Sequence, residues 1–200
     1  MELAARKLER GDIRLEPFED RHLEGLTAAS LIDPAIFRHM PVPVATKGYR
    51  LYWDILRADQ AAGRAIPHAV LRGGVVVGQS CYLNIRNRDA GVEIGSTWYV
   101  PAEQRTAVNP ACKLLLIGNA FDQGAERVEL KTDALNEASR GAMLKMGAQF
   151  EGVHRKHMRR ADGTLRDTAW YSVIREDWPA VRAGLEERLA PSGGHESADG

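Results

Sequence analysis

The order of hydrophobic and polar residues divides the chain into two halves with different patterns. Strands alternate apolar and polar side chains with a period of two, whereas helices repeat them about every 3.6 residues. The first half predicts a strand at residues 12–18, two helices and a meander of three strands that ends with GVEIGSTWYV, residues 91–100. The second half predicts a helix, a strand, a helix, two strands and a last helix. A meander that leads into a strand–helix–strand unit is typical of a mixed α+β fold with a partly parallel sheet.

Turn and cap residues set the limits of the later elements. Asn136 is a good N-cap for a helix over residues 136–146, and Gly147 is a good residue to end it. Asp162-Gly163 is a strong hairpin signal between the last two strands. We therefore predict one domain over residues 1–190, followed by a disordered polar tail at residues 191–200.

Composition and charge narrow the class of protein. Lys plus Arg and Asp plus Glu number 27 each, so the formal net charge is zero and gives no reason to expect nucleic-acid or membrane binding. No apolar run reaches the roughly 20 residues of a membrane span, and the charged N-terminus does not resemble a signal peptide. Cys81 and Cys112 form neither a disulfide framework nor a metal-ligand spacing. We expect a cytoplasmic protein without a metal.

The most informative segment runs from Glu93 to Lys113, where a strand leads through a loop into a helix. Free backbone N–H groups and the positive end of the helix dipole make such a place suited to an anion, including a pyrophosphate. Residues 101–113 contain no glycine, so neither common glycine-rich nucleotide motif is present. A nucleotide-binding α/β protein is therefore a disfavoured alternative.

Three spaced motifs resemble one family. QRTAVNPACK, residues 104–113, is similar to the acyl-CoA loop of GNAT acetyltransferases, in the RimJ/RimL-type form QGTGVNTEAK. NEASRGAMLKMGAQFEG, residues 136–152, and RRADGTLRDTAWYSV, residues 159–173, resemble two further signatures of that branch. The resemblance covers roughly residues 10–180. It implies a GNAT-like central twisted mixed sheet of about seven strands flanked by helices, with acetyl-CoA as co-substrate.

The resemblance also implies roles for individual residues. Backbone amides of residues 105–109 would hold the coenzyme A pyrophosphate, and the strand end at residues 97–100 would run beside the pantetheine arm. Asn136 would bond the pantetheine or acetyl region, and Ser139 would lie near the sulfur. The cofactor-binding candidates are Thr97, Trp98, Tyr99, Val100, Gln104, Arg105, Thr106, Ala107, Val108, Asn109, Asn136 and Ser139.

Two positions depart from the family pattern. Ala107 stands where the loop usually has glycine, and alanine tolerates a positive φ poorly. Met143 stands where many members have a tyrosine that protonates the leaving thiolate, which leaves Ser139 as the nearby hydroxyl. These departures favour the alternative function, a non-catalytic acyl-CoA-binding scaffold or sensor.

Acetyl transfer to an amine needs a base, and Glu93 is the first candidate. By period two it shares a strand face with Gly95 and Thr97. The alternative for Glu93 is a solvated or ion-paired strand carboxylate, and the alternative for Asn136 is helix capping alone. The catalytic candidates are Glu93 and Ser139.

The acceptor is predicted only as a primary amine, either a protein N-terminal amine or a small molecule, with residues 32–47 beside its groove. Simple alternation places His154 and His157 on opposite faces of their strand and buries one of Trp98 and Tyr99. The edge of the C-terminal hairpin offers a route to a homodimer.

Overall fold

One eight-stranded sheet runs through residues 1–190, the part of the chain that the computed structural model describes. The tail predicted at residues 191–200 lies outside the described residues. The strands are β1 (Leu8–Arg10), β2 (Ile13–Pro17), β3 (Ile66–Arg72), β4 (Val75–Arg86), β5 (Gly91–Tyr99), β6 (Arg127–Asp133), β7 (Gln149–Arg159) and β8 (Leu165–Ile174). The helices are α1 (His22–Ile32), α2 (Val44–Lys47), α3 (Tyr49–Ala61), α4 (Val108–Asp122), α5 (Glu137–Met146) and α6 (Trp178–Leu189), with 3₁₀ turns at Pro34–Phe37 and Pro101–Glu103.

The sheet is mixed, as the sequence predicts. Its order is β1-β2-β3-β4-β5-β6-β8-β7, and every neighbouring pair is antiparallel except β5 with β6. It has one strand more than the expected number of about seven. The additional strand is β1, which pairs with β2 through a turn where Gly11 has φ +59°. Three residues are too short to show an alternating pattern, so periodicity did not reveal this strand.

Helices cover the two faces of the sheet unequally. α1 and α3 pack on the β3–β4 half of one face, where Tyr49, Tyr52, Trp53 and Leu56 form the buried stripe of α3 at helical spacing. Each such side chain contributes about 1.5–3 kcal/mol through burial. α4 and α6 pack against each other on the opposite face. On the first face, the half made by β6, β8 and β7 carries no helix within residues 1–190. We call it the open half; the loop that contains His39 reaches one end of it, where Nη1 of Arg166 donates to the His39 carbonyl at 3.1 Å.

No helix in the described part of the chain combines the length and apolarity needed to cross a membrane.

Candidate active site

The sheet opens at its only parallel pair. β5 pairs with β6 only where Gly91, Val92 and Glu93 face Arg127, Val128 and Glu129. Beyond Glu93, β5 continues beside β4 alone, and β6 continues beside β8 alone. The facing edges of β5 and β6 therefore leave a slot with unpaired backbone groups. We call this opening the splay.

A bulge at Ser96 accompanies the splay. Ser96 has φ +52°, and the β4–β5 register shifts so that Trp98 faces Gln79 while Gly95 faces Cys81. An extra residue in a strand turns the following side chains to the opposite face. Thr97 accordingly points toward α4, with its Oγ1 2.7 Å from Oγ of Ser80. The prediction that Thr97 shares a face with Glu93 and Gly95 is wrong for this reason.

Glu93 lies at the base of the splay and is 1% exposed. One of its oxygens, Oε2, accepts a hydrogen bond from Nδ2 of Asn84 at 2.5 Å and pairs with Nζ of Lys131 at 2.8 Å. The other oxygen, Oε1, has no hydrogen-bond partner among residues 1–190 and is not among the partnerless atoms that are sealed from solvent there. Oε1 is therefore free to accept a proton from a ligand or a water.

Gly95 gives this carboxylate its space. A Cβ atom at position 95 would lie 2.8 Å from Oε1 of Glu93 and 3.1 Å from Cδ1 of Leu83. Both separations are shorter than ordinary van der Waals contact, so any larger residue would displace the Glu93 side chain. The expected sharing of a face by Glu93 and Gly95 is confirmed.

The loop of residues 104–109, which we call the amide loop, presents backbone donors at the start of α4. The N–H groups of Arg105, Thr106, Ala107 and Asn109 have no acceptor within residues 1–190. Oγ1 of Thr106 accepts the N–H of Val108 at 3.2 Å, and Nε2 of Gln104 donates to the Tyr99 carbonyl at 3.2 Å. Four free donors at the positive end of a 15-residue helix form a backbone site for an anion.

The backbone angles resolve the question raised by alanine in this loop. Ala107 has φ −65° and ψ −16°, an ordinary helical conformation that alanine adopts without strain. The left-handed residue is instead Arg105, with φ +63°. Arg105 also stands at a position where the RimJ/RimL-type pattern has glycine. The strain therefore sits two residues earlier than the sequence suggested.

The side chains at the end of β5 belong to the core. Trp98 and Tyr99 are 4% and 7% exposed, and Val100 is also buried. Trp98 packs edge-on against Phe37 and Tyr49, whereas the hydroxyl of Tyr99 donates to Oδ1 of Asn109 at 3.4 Å. The prediction that only one of these aromatic residues is buried is wrong, because both faces of β5 are covered here. Any contact of Trp98, Tyr99 and Val100 with a ligand falls mainly to their backbone.

Lys113 lies beneath the amide loop as a buried ammonium group. It is 8% exposed, and its Nζ donates to Oγ1 of Thr97 at 3.4 Å. Burial lowers its pKa to about 8. No carboxylate in residues 1–190 pairs with it. The side chain links α4 to the bulge in β5.

Asn136 and Ser139 stand at the start of α5. Oδ1 of Asn136 accepts the N–H of Ser139 at 3.1 Å, which confirms the predicted cap. The side-chain nitrogen of Asn136, Nδ2, has no partner within residues 1–190, whereas its backbone N–H donates to the Asp133 carbonyl at 2.9 Å. Because β5 and β6 are parallel, α5 begins at the same edge of the sheet as the amide loop. Met143 follows on α5 and is half-buried.

A group of side chains on the open half of the sheet was not predicted as a site. This strand-face cluster consists of Lys131, His154, His157, Arg166 and Trp170. Nζ of Lys131 lies 5.0 Å from the ring centre of Trp170, and the rings of His154 and His157 lie 5.2 and 5.7 Å from it. Cross-strand pairing of Lys131 with Trp170 puts the cluster on the Glu93 face. Lys131 joins this cluster to the carboxylate of Glu93.

A second bulge brings the two histidines together. Lys156 has φ +50°, and the β7–β8 register shifts between His154 and Met158. The ring centres of His154 and His157 are 5.5 Å apart, so their predicted placement on opposite faces is wrong. Burial, and then the charge of Lys131, lower the pKa of His157, whose Nδ1 lies 3.2 Å from Oγ1 of Thr168.

One sequence signal could have found part of this cluster. In RVELKTD, residues 127–133, alternate positions hold Arg, Glu, Lys and Asp, an unusual charged row for a central strand. Regular alternation in TAWYS, residues 168–172, likewise places Thr168 and Trp170 on one face. The sequence pattern does not give the strand register, and the register is what places these two rows of side chains beside Glu93.

Comparison with known proteins identifies the family. Residues 12–149 match the acetyltransferase (GNAT) domain family. The chain belongs to the GNAT acetyltransferase family. A search of curated proteins finds no match.

Solved structures of GNAT proteins share the whole fold. A GCN5-related N-acetyltransferase from Brucella melitensis is 30% identical with a TM-score of 0.85, over 94% of this chain and 87% of that one. Mycobacterium smegmatis RimJ in complex with CoA-disulfide is 21% identical with a TM-score of 0.76, over 92% and 94% of the two chains. RimL, a ribosomal L7/L12 alpha-N-protein acetyltransferase in complex with coenzyme A, is 16% identical with a TM-score of 0.74, over 84% and 98%. The last two are similar to this chain in fold.

Proposed function

We propose that this GNAT protein transfers the acetyl group of acetyl-CoA to a primary amine, with Glu93 as the base. The observation that carries the proposal is the free Oε1 of Glu93 at the point where β5 and β6 separate. The carboxylate is buried, oriented through its other oxygen and accessible on one side. Those are the properties that a positioned general base requires.

The backbone around the splay fits acetyl-CoA as a substrate. The free N–H groups of residues 105–109 suit a pyrophosphate at a helix N-terminus. The edge of β5 at residues 97–99 does not pair with β6 and can bond the amide groups of the pantetheine arm, as an added strand would, except at the Tyr99 carbonyl, which Gln104 occupies. Asn136 has a spare amide donor at the same edge of the sheet. Gln104 contributes by fixing the loop to the Tyr99 carbonyl.

The proposed reaction is a direct attack. The amine nitrogen forms a bond to the thioester carbonyl carbon, the carbon–sulfur bond breaks, and coenzyme A leaves as a thiolate. The proton lost by the amine passes to Oε1 of Glu93, directly or through a water. Asn84 and Lys131 keep Oε2 engaged, so the carboxylate presents Oε1 to the amine. Ser139 is the proposed hydroxyl nearest the sulfur, although a thiolate leaves readily without a protein acid.

Binding and turnover test different parts of this proposal. Calorimetric titration should show saturable binding of acetyl-CoA and of free coenzyme A, and none of ATP. Glu93→Gln should preserve that binding and reduce the rate of thiol release with an amine acceptor by about 100- to 10,000-fold. Glu129→Gln is the matched control, because Glu129 faces Glu93 across the β5–β6 pair but bonds Arg86 and Arg127 instead. Equal turnover by Glu93→Gln and the wild type would remove Glu93 from the mechanism.

One observation favours a second function, a non-catalytic acyl-CoA-binding scaffold. Met143 stands where many family members have a tyrosine, and methionine cannot protonate a thiolate. A scaffold would bind acetyl-CoA and release no thiol with any amine. The same pair of assays therefore separates the two functions.

A further inference from the structure

Arg166 is a buried guanidinium group without a carboxylate partner. It is 5% exposed, and no acidic side chain within residues 1–190 forms an ion pair with it. Its Nε donates to Oγ1 of Thr168 and its Nη1 to the carbonyl of His39, both at 3.1 Å. Burial lowers the pKa of Arg166, and the negative charge of Asp133 opposes this effect. A buried charge is costly unless a counter-charge or a ligand compensates it.

The charges around Arg166 do not balance. Glu93 is paired with Lys131 at 2.8 Å, and Asp133, which is fully buried, is paired with Arg160 at 2.6 Å. Each of those two carboxylates already has its own cation. Arg166 is therefore the surplus positive charge of this part of the sheet.

One end of Arg166 is free to bind a ligand. Its Nη2 donates to no group in the described part of the chain. The side-chain atoms there that are both partnerless and sealed from solvent are Nε1 of Trp98 and Nε1 of Trp170. Nη2 of Arg166 is not among them, so it retains some contact with solvent.

The strand register sets the distance between Arg166 and Glu93. Trp170 pairs with Lys131, which bonds Glu93, and Thr168, which bonds Arg166, lies two residues along the same strand. Two residues of strand span about 7 Å, so the carboxylate and the guanidinium are on the order of 7–10 Å apart. An amine and a carboxylate on one carbon, with a hydrogen bond of about 3 Å at each end, would span about 9 Å.

We propose that Arg166 binds the carboxylate of the acceptor, and that the acceptor is a free α-amino acid or a small molecule with the same amine-and-carboxylate unit. This inference rests on the proposed acetyl transfer, since it uses Glu93 to mark the position of the amine. The acceptor carboxylate supplies the counter-charge that Arg166 lacks. Trp170 and His157 form the wall between the two ends.

The phosphates of acetyl-CoA would not supply this counter-charge. The amide loop lies at the start of α4, and α4 packs on the face of the sheet opposite to Arg166 and Glu93. The two anion sites are therefore separated by the sheet. An acceptor would reach the thioester from the Arg166 side through the splay.

Matched acceptors test the inference through turnover. Thiol release is measured with the protein amino acids and with their carboxamides, which keep the amine and lose the charge. For the accepted amino acid, KM should be at least about 10-fold lower than for its amide, the loss expected for one charged hydrogen bond. Arg166→Gln should raise KM for the acid by a larger factor than KM for the amide, so that the preference for the acid disappears. Arg159→Gln is the control, because it removes the same positive charge from an exposed position at the neighbouring hairpin.

Direct binding separates failure of this inference from failure of the proposed function. The same amino acids are titrated into the protein saturated with free coenzyme A, which cannot react. One outcome is that the amino acid binds the wild type but not Arg166→Gln, while the kinetic assay shows no thiol release. That outcome would support the carboxylate site and argue against acetyl transfer as the function. Equal KM values for acid and amide, or equal losses for both in Arg166→Gln, would overturn the inference and reduce Arg166 to an anchor for the His39 carbonyl.

Discussion

The amide loop and the face around Glu93 lie at the same end of the sheet but are built from different parts of the chain. The amide loop uses the backbone of six consecutive residues, 104–109, and one helix start. The Glu93 site uses side chains from four strands, with Asn84 on β4, Lys131 on β6 and Trp170 on β8. A local backbone site is visible in the sequence, whereas a site assembled across strands depends on register.

Bulges sharpen this difference. Ser96 and Lys156 both have positive φ, and each reverses the face of the residues that follow it. The first bulge moves Thr97 to the α4 side, and the second moves His157 beside His154 and Trp170. The amide loop contains a positive φ as well, at Arg105, but there it changes the direction of backbone donors only. Changes at the two regions should therefore have separable effects.

The largest expected effect on stability is at Lys113, behind the amide loop. Burial lowers its pKa to about 8, so the unfolded chain, with the ordinary value near 10.5, binds the proton more strongly. The free energy of unfolding should therefore rise between pH 8 and pH 10.5, and below pH 8 the buried charge costs about 3 kcal/mol. Lys113→Met should unfold at higher urea concentration at pH 7 and lose this dependence on pH.

The control for Lys113 is Lys145→Met, which removes an exposed lysine from α5. The urea concentration at which Lys145→Met unfolds should differ little from that of the wild type, both at pH 7 and between pH 8 and pH 10.5. Lower stability of Lys113→Met at pH 7 would show that the ammonium is held by more than its single contact with Thr97.

The next largest effect is expected at Gly95, which gives Glu93 its space. In Gly95→Ala the added Cβ would meet Oε1 of Glu93 and displace the carboxylate. A displacement of about 1 Å should reduce kcat by about 100-fold, with the acetyl-CoA affinity changed by less than about 3-fold. Gly141→Ala is the control, since a Cβ there meets no atom within 4 Å. A parallel loss of acetyl-CoA binding would mean that the two regions are coupled through β5.

The smallest effect is expected at Arg105 in the amide loop. Arg105→Gly and Arg105→Ala remove the same guanidinium, but only glycine relieves the positive φ. The glycine variant should be about 1 kcal/mol more stable than the alanine variant and should bind acetyl-CoA at least as tightly. Urea unfolding and calorimetry of the two variants measure both quantities. Equal stabilities would show that the loop leaves the left-handed conformation when the arginine is removed.

Several predictions from local sequence are confirmed in detail. Asn136 caps α5, Gly147 ends it with φ +97°, and Asp162-Gly163 turns the hairpin between β7 and β8. α4 begins at Val108, whose N–H is accepted by the hydroxyl of Thr106. These features depend on a few neighbouring residues, which is why a single sequence reveals them.

The sequence by itself determined the order of most elements, the caps and turns, the strand–loop–helix joint at residues 104–109 and the family resemblance. Only the tertiary structure decided which side chains meet at the splay, because bulges shift the period of two and strand pairing brings Lys131 to Glu93 from a distant part of the chain. The tertiary structure also decided which charged side chains are buried. A glutamate and an arginine that look solvated in sequence, Glu93 and Arg166, are nearly fully buried, and each keeps one side-chain atom without a hydrogen-bond partner among residues 1–190.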